Sequence, residues 1–173
     1  MRHKYRFIAM LLGLIAMLLG LLVCTAAPAA PAPAWQGKDA DGKTIAFDPP
    51  HLRRPALLLF WATWCPYCEA LMPYLQKVAD AAGRDKLDVY AIDIKDDGDP
   101  VATLRERKLS FTLVRDGDAI ADQYGVKGTP GLFLVDEKGE IVYKRTGGDA
   151  PEKVEAALRE KLGLAPVVDT RKK

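Results

Sequence analysis

The segment Phe60-Trp61-Ala62-Thr63-Trp64-Cys65-Pro66-Tyr67-Cys68 constrains this chain more than any other. Two cysteines separated by two residues follow an uninterrupted apolar run, Ala56 to Trp61. They stand where a helix begins, at Pro66. A cysteine in that place faces unpaired backbone N–H groups and the positive end of the helix dipole. Both favour thiolate over thiol, so Cys65 becomes a nucleophile near neutral pH. Cys68 lies one turn further on and can close a disulfide onto it, which makes a reversible two-electron switch.

Composition narrows the class. With 173 residues, 49% apolar and 28% charged, the chain can bury one ordinary core and carry extra segments. The net charge of +2 misleads. Arg2, Lys4 and Arg6 precede the first acid, Asp39, and without them the 25 basic residues fall to 22 against 23 acidic ones. No basic field remains for nucleic acid. Arg171-Lys172-Lys173 reads as a frayed end.

The first residues read as an export element. Arg2, Lys4 and Arg6 stand before a stretch without charge, Phe7 to Val23. The positive end stays in the cytoplasm and the rest crosses the membrane. The apolar stretch is long for a cleaved signal and slightly short for a span, but counting on through Ala27 gives one pass. An uncleaved single-pass anchor is the expectation. The alternatives are cleavage near Ala27-Pro28-Ala29 and lipidation of Cys24. Leu21 suits the latter, whereas Val23 sits where a small residue is required.

Cysteine placement supports chemistry over stapling. Cys24 lies in or beside the membrane segment, so the exported part holds only Cys65 and Cys68. A structural disulfide framework uses more cysteines, spaced widely. A metal site needs two further ligands, and His51 is the one histidine outside the leader. No metal is expected. Asp96-Asp97-Gly98-Asp99 lacks a full calcium-loop ligand set and reads as a loop whose acids cap the following helix. Arg105, Arg107 and Lys108 read as a solvated face.

Four regions follow: an anchor or signal over 1–24, a Pro/Ala spacer over 25–34, a folded domain over 35–165 and a loose basic tail over 166–173. Inside the domain, strands and helices alternate. Trp35 to Phe47 reads as a hairpin turning at Asp41-Gly42. Ala56 to Trp61 is a buried central strand. Pro66 to Ala82 is a helix carrying Leu71, Leu75 and Val78 on one face, kinked at Pro73 and stopped by Gly83. Leu87 to Ile94 is a second buried strand. Pro100 to Lys108 reads as a helix, Ser110 to Val114 as a strand and Ala119 to Tyr124 as a short helix. Gly131 to Val135 and Glu140 to Lys144 form a hairpin, and Pro151 to Leu162 closes the domain as an amphipathic helix.

This order resembles the thioredoxin superfamily, and within it the exported, membrane-tethered TlpA/ResA-like proteins of bacteria. The resemblance rests on Trp61-Ala62-Thr63-Trp64-Cys65-Pro66-Tyr67-Cys68 after a buried strand, and on Pro73 soon after the second cysteine. It rests equally on Tyr124-Gly125-Val126-Lys127-Gly128-Thr129-Pro130-Gly131, similar to the family's cis-proline loop, and on Lys138-Gly139-Glu140-Ile141-Val142. The Pro100–Val114 stretch resembles the αβ insertion of the exported group, whose copper-tolerance (ScsD-like) reductases are the nearest subgroup. The implied fold is α/β and thioredoxin-like: a central mixed sheet flanked by helices, with an N-terminal β-hairpin and a central αβ insertion.

The resemblance implies roles. Cys65 is the attacking thiolate and the more exposed cysteine; Cys68 resolves the mixed disulfide. Pro66, at the first helical position, and Tyr67 tune thiolate stability. Trp64 packs beside the site and shields it, or else is plain core, as Trp61 is expected to be. Thr129 and Pro130 form the second half of the site, with a cis bond turning the Thr129 backbone toward the dithiol. Two departures matter. Plain thioredoxins carry a buried Asp where this chain has Leu59, and many exported relatives carry a Glu where it has Leu71. Either acid helps deprotonate the resolving thiol. Glu69 is the candidate replacement, with a solvated helix residue as the bland alternative and water as another proton route.

The expected activity is a periplasmic, inner-membrane-tethered, monomeric protein-disulfide reductase. It needs no cofactor beyond the Cys65–Cys68 disulfide. A DsbD-type membrane thiol donor recharges it, and its clients carry disulfides: apocytochrome c, copper-handling proteins or other periplasmic thiols. A dithiol oxidase is the alternative within the same chemistry. A Cu(I)-binding module using the two thiols is the alternative from another class. Cys-Pro-Tyr-Cys is also the glutaredoxin dipeptide, but the tryptophan flank and the anchor disfavour glutathione use.

Overall fold

A computed structural model describes residues 30–96, 98–145 and 148–167. The expected anchor, Cys24 and the end of the basic tail lie outside the described residues. Among the described residues no helix is long and apolar enough to cross a membrane.

Among the described residues, seven strands and four α-helices alternate. They are β1 (Trp35–Lys38), β2 (Thr44–Phe47), β3 (Ala56–Trp61), α1 (Pro66–Ala82), β4 (Asp88–Asp93), α2 (Pro100–Glu106), β5 (Thr112–Val114), α3 (Asp118–Gln123), β6 (Gly131–Val135), β7 (Ile141–Arg145) and α4 (Pro151–Lys161). Strands β1 and β2 form a separate antiparallel hairpin. The main sheet runs β5-β4-β3-β6-β7. Strands β3, β4 and β5 are parallel to one another, and β6 and β7 add on antiparallel. This is the mixed sheet with N-terminal hairpin and central αβ insertion that the resemblance implies.

The strand β3 explains the layering. All six of its residues are buried, and successive side chains point to opposite faces. Leu57, Leu59 and Trp61 face α1 and α4, where they meet Leu71, Leu75, Val78, Val154 and Leu158. Leu58 and Phe60 face the other layer, built from Trp35, Phe47, Ile120 and Tyr124. Burying each such Leu or Phe is worth roughly 1.5–3 kcal/mol, so a strand filled on both sides anchors the whole sheet. Its C-terminal end is therefore a rigid platform, and the cysteines follow four residues later.

The folded unit starts before Trp35. The backbone N–H of Ala32 donates to the Gly139 carbonyl at 2.8 Å, and Ile141 N–H donates to the Ala30 carbonyl at 2.9 Å. The Tyr124 hydroxyl donates to the Pro33 carbonyl at 2.8 Å. Proline supplies carbonyls without N–H groups that need partners, so this end of the Pro/Ala spacer docks on the edge of the domain.

Candidate active site

Cys65 is the N-cap residue of α1, with extended backbone angles, and Pro66 takes the first helical position. A proline there leaves no N–H orphaned. The Cys68 N–H donates to Cys65 Sγ at 3.1 Å. That contact strengthens when the sulfur is a thiolate, and the 17-residue helix α1 points its positive end at the same atom. Cys65 and Cys68 are joined as a disulfide, with Cα atoms 5.3 Å apart. Cys65 is 2% exposed and Cys68 fully enclosed. Both sulfurs sit deeper than a freely exposed nucleophile would.

Two aromatic side chains stand out around this buried pair. Trp64 and Tyr67 are 56% and 73% exposed. Trp64 belongs to neither core cluster. Its indole N–H donates to the Lys95 carbonyl at 2.9 Å, which holds the ring outward. Trp61, by contrast, is core, as expected.

The peptide bond between Thr129 and Pro130 is cis. The next residue, Gly131, pairs with Phe60 in the β3–β6 register, which puts Pro130 at the sheet end from which the cysteine turn departs. A side chain at Gly131 would come within 2.9 Å of Val126, so close packing of the loop requires glycine there. Tyr67 and residues 125–131 together line a groove of about 620 Å³, with Phe133, Lys144, Arg145 and Gly148 on its far wall. Arg145 Nη1 donates to the Pro130 carbonyl at 3.4 Å. The structure thus brings Tyr67, Thr129 and Pro130 into one concave surface next to the dithiol. Lys127, Lys144 and Arg145 make that surface cationic, and among the described residues no acid lines it.

The expected proton acceptor fares less well. Glu69 is exposed and pairs with Arg107 at 3.0 Å. The hydrogen bond from Arg107, and its charge, hold the Glu69 carboxyl below its usual range, so it is a weaker base than a free glutamate. Leu59 and Leu71, at the two usual acid positions, are enclosed in the same apolar cluster as both cysteines. Of the acidic loop, Asp99 does cap α2, accepting from the Ala102 N–H at 2.9 Å.

One titratable group escaped the sequence reading. Asp93, the last residue of β4, is only 8% exposed. Burial pushes its carboxyl up to about 7, with further contributions from Asp96 and Asp116, while Arg115 opposes the shift. The available signal was an acid set between Ile92 and Ile94 at the end of an apolar run.

The sequence profile of the AhpC/TSA family matches residues 28–144. The chain belongs to that family. It is 30% identical to sporulation thiol-disulfide oxidoreductase A of Bacillus subtilis over 157 residues, covering 87% of this chain and 93% of that one. It is 35% identical to the thiol-disulfide oxidoreductase ResA of Halalkalibacterium halodurans over 100 residues, 57% of each chain, so the match spans little more than half of that relative. Among solved structures, the thioredoxin domain of a thiol-disulfide oxidoreductase from Bacteroides vulgatus superposes with a TM-score of 0.62 at 27% identity. That match covers 78% of this chain and 99% of that domain. The resemblance to thioredoxin-like ResA-type proteins is borne out.

Proposed function

We propose that this chain is an exported thiol–disulfide oxidoreductase, tethered to the bacterial inner membrane, which reduces disulfides in periplasmic proteins. The observation that carries this reading is the Cys65–Cys68 disulfide at the N-cap of α1, beside a groove that contains the cis Thr129–Pro130 bond. The names of the matched relatives support the reaction class.

The geometry supports the following cycle. In the dithiol form, Cys65 thiolate attacks one sulfur of a client disulfide, and the other client sulfur leaves as thiolate. The client backbone lies along Thr129 in the groove while the mixed disulfide persists. Cys68 then loses its proton and attacks Cys65 Sγ, which releases the client dithiol and closes the Cys65–Cys68 bond. Two electrons have passed to the client. A membrane dithiol donor of the DsbD type returns them. The client classes are apocytochrome c, copper-handling proteins and other periplasmic thiols.

The test uses the full chain in detergent. Cys68→Ser should trap mixed disulfides with client proteins, and Cys65→Ser should trap none; the reverse result would exchange the two roles. A reduction potential near or below about −220 mV fits a reductant, and one near about −120 mV would make the chain an oxidant that inserts disulfides.

A further inference from the structure

Asp96 grips the turn that presents Cys65, and Asp93, the last residue of β4, stands beside it. Asp93 pairs with Trp61 in the β3–β4 register. One of its oxygens, Oδ1, is buried without a hydrogen-bond partner among the described residues. After burial, the neighbouring Asp96 carboxyl and its charge are the next causes that hold the proton on Asp93. Two carboxyls in such contact cannot both ionise without strong repulsion, so they share one proton.

The neighbours decide which group holds it. Asp96 accepts from the Thr63 N–H at 2.6 Å, from the Thr63 hydroxyl at 2.5 Å and from the Gly98 N–H at 3.0 Å. Burial alone would raise the Asp96 carboxyl, but these donors and Asp93 together hold it below its usual range. The opposite directions of the two shifts make Asp96 the group that ionises first and Asp93 the one that keeps its proton longer. A side chain at Gly98 would lie 2.2 Å from Thr63 Oγ1, so the two segments touch closely.

Thr63 stands two residues before Cys65. Between them, Trp64 is fixed by its bond to the Lys95 carbonyl. The turn closes with the Cys65 N–H on the Ala62 carbonyl at 3.1 Å. Among the described residues, the bonds that tie Thr63 and the Trp64 indole to the segment after β4 end on residues 95 and 96.

We propose that Asp93 and Asp96 form a one-proton latch that positions the Thr63–Cys65 turn, and that loss of the Asp93 proton weakens the nucleophile. Both are positioning residues. Among the described residues, the charged groups that act on Asp93 are Asp96 from the loop that follows it and Asp116 and Arg115 from the turn after β5, while β3 presents Trp61. Deprotonation sets a second negative charge against Asp96, loosens its hold on Thr63 and disfavours the Cys65 thiolate. The inference deepens the proposed redox function and rests on it for its biological meaning.

The experiment measures iodoacetamide alkylation of Cys65 against pH in the reduced full chain in detergent, which needs no client. At pH 6, Asp93→Asn should match the wild type, because the amide, like the protonated acid, sets no charge against Asp96. At pH 8 it should react about 3-fold faster, since the wild type has acquired the opposing charge. Thr63→Val should slow alkylation, and Thr63→Ser should restore it. Infrared spectra should show a protonated aspartate at pH 6 that vanishes by pH 9 and is missing in Asp93→Asn. Superimposable pH profiles for the wild type and Asp93→Asn, or no protonated carboxyl at pH 6, would overturn the latch. If Asp93→Asn does not fold, the wild-type infrared titration and the Thr63 pair decide. A protein that shows these profiles yet reduces no disulfide would refute the proposed function and leave the latch standing.

Discussion

Glu69 accepts a hydrogen bond from Arg107 Nη1 at 3.0 Å, which ties the residue after the second cysteine to the end of α2. The pairing keeps Glu69 ionised and outward-facing. A base that serves the resolving thiol must reach a fully enclosed sulfur, and its proton affinity has to sit near the working pH. Glu69→Gln should therefore leave kcat/KM for disulfide reduction within about 2-fold of the wild type at pH 7. Steady-state reduction of insulin checks this. A loss of tenfold or more would return Glu69 to the mechanism.

Asp93 makes stability depend on pH in a stated direction. In the unfolded chain it loses its proton near 3.9, whereas in the native state it keeps it to about 7. Between those values the native state binds the extra proton, so unfolding becomes easier as pH rises. The contribution is full below about pH 4 and gone above about pH 7. The ceiling on this effect is roughly 4 kcal/mol, reduced by coupling to Asp96. Asp93→Asn should raise the unfolding free energy relative to the wild type at pH 8 and bring no gain at pH 4. Urea titrations at the two pH values measure the difference, and a gain of equal size at both would rule out the linkage.

Much of this architecture could be read from the chain because local and tertiary signals agree. The strand Ala56–Trp61, the helix Pro66–Ala82 and the strand Gly131–Val135 have the bounds expected of them. Continuous apolar runs mark the two strands, and Pro66 and Gly83 mark the helix ends. The edge was harder. Strand β5 begins at Thr112, two residues later than expected, because it pairs with β4 on one side only. The docking of residues 30–33 could not be foreseen from a Pro/Ala composition that also suits a free spacer. The acid pair escaped for a further reason. Leu59 and Leu71 drew attention to acids that are missing, whereas Asp93 gains its properties from burial against β3 and from Asp96. Those are relations between segments, and spacing does not carry them.

The cationic groove predicts client preference. Lys127, Lys144 and Arg145 line it, with no compensating acid among the described residues, next to Tyr67 and the cis-proline loop. A client with Asp or Glu beside its reactive cysteine gains Coulomb attraction during encounter, and one with Lys loses it. The double variant Lys127→Glu, Lys144→Glu should lower kcat/KM about 10-fold for an acidic peptide disulfide and raise it for a basic one. Both effects should shrink at 0.5 M salt, where screening shortens the reach of charge to a few ångströms. Equal changes for the two peptides would show that the lysines act through groove shape instead.

Leu71 offers the converse test, since restoring an acid there reproduces the pattern that many exported relatives carry. The side chain is 1% exposed and packs in the cluster that holds both cysteines. A glutamate at this position would meet apolar neighbours and keep its proton well above its ordinary range. Leu71→Glu should therefore destabilise the oxidised protein by several kcal/mol, about the cost of burying a carboxyl without a partner. Thermal unfolding at pH 5 and pH 8 should show a larger loss at pH 8, where the unfolded state ionises the new group freely. A variant as stable as the wild type at both values would mean that the pocket around the dithiol already accommodates an acid.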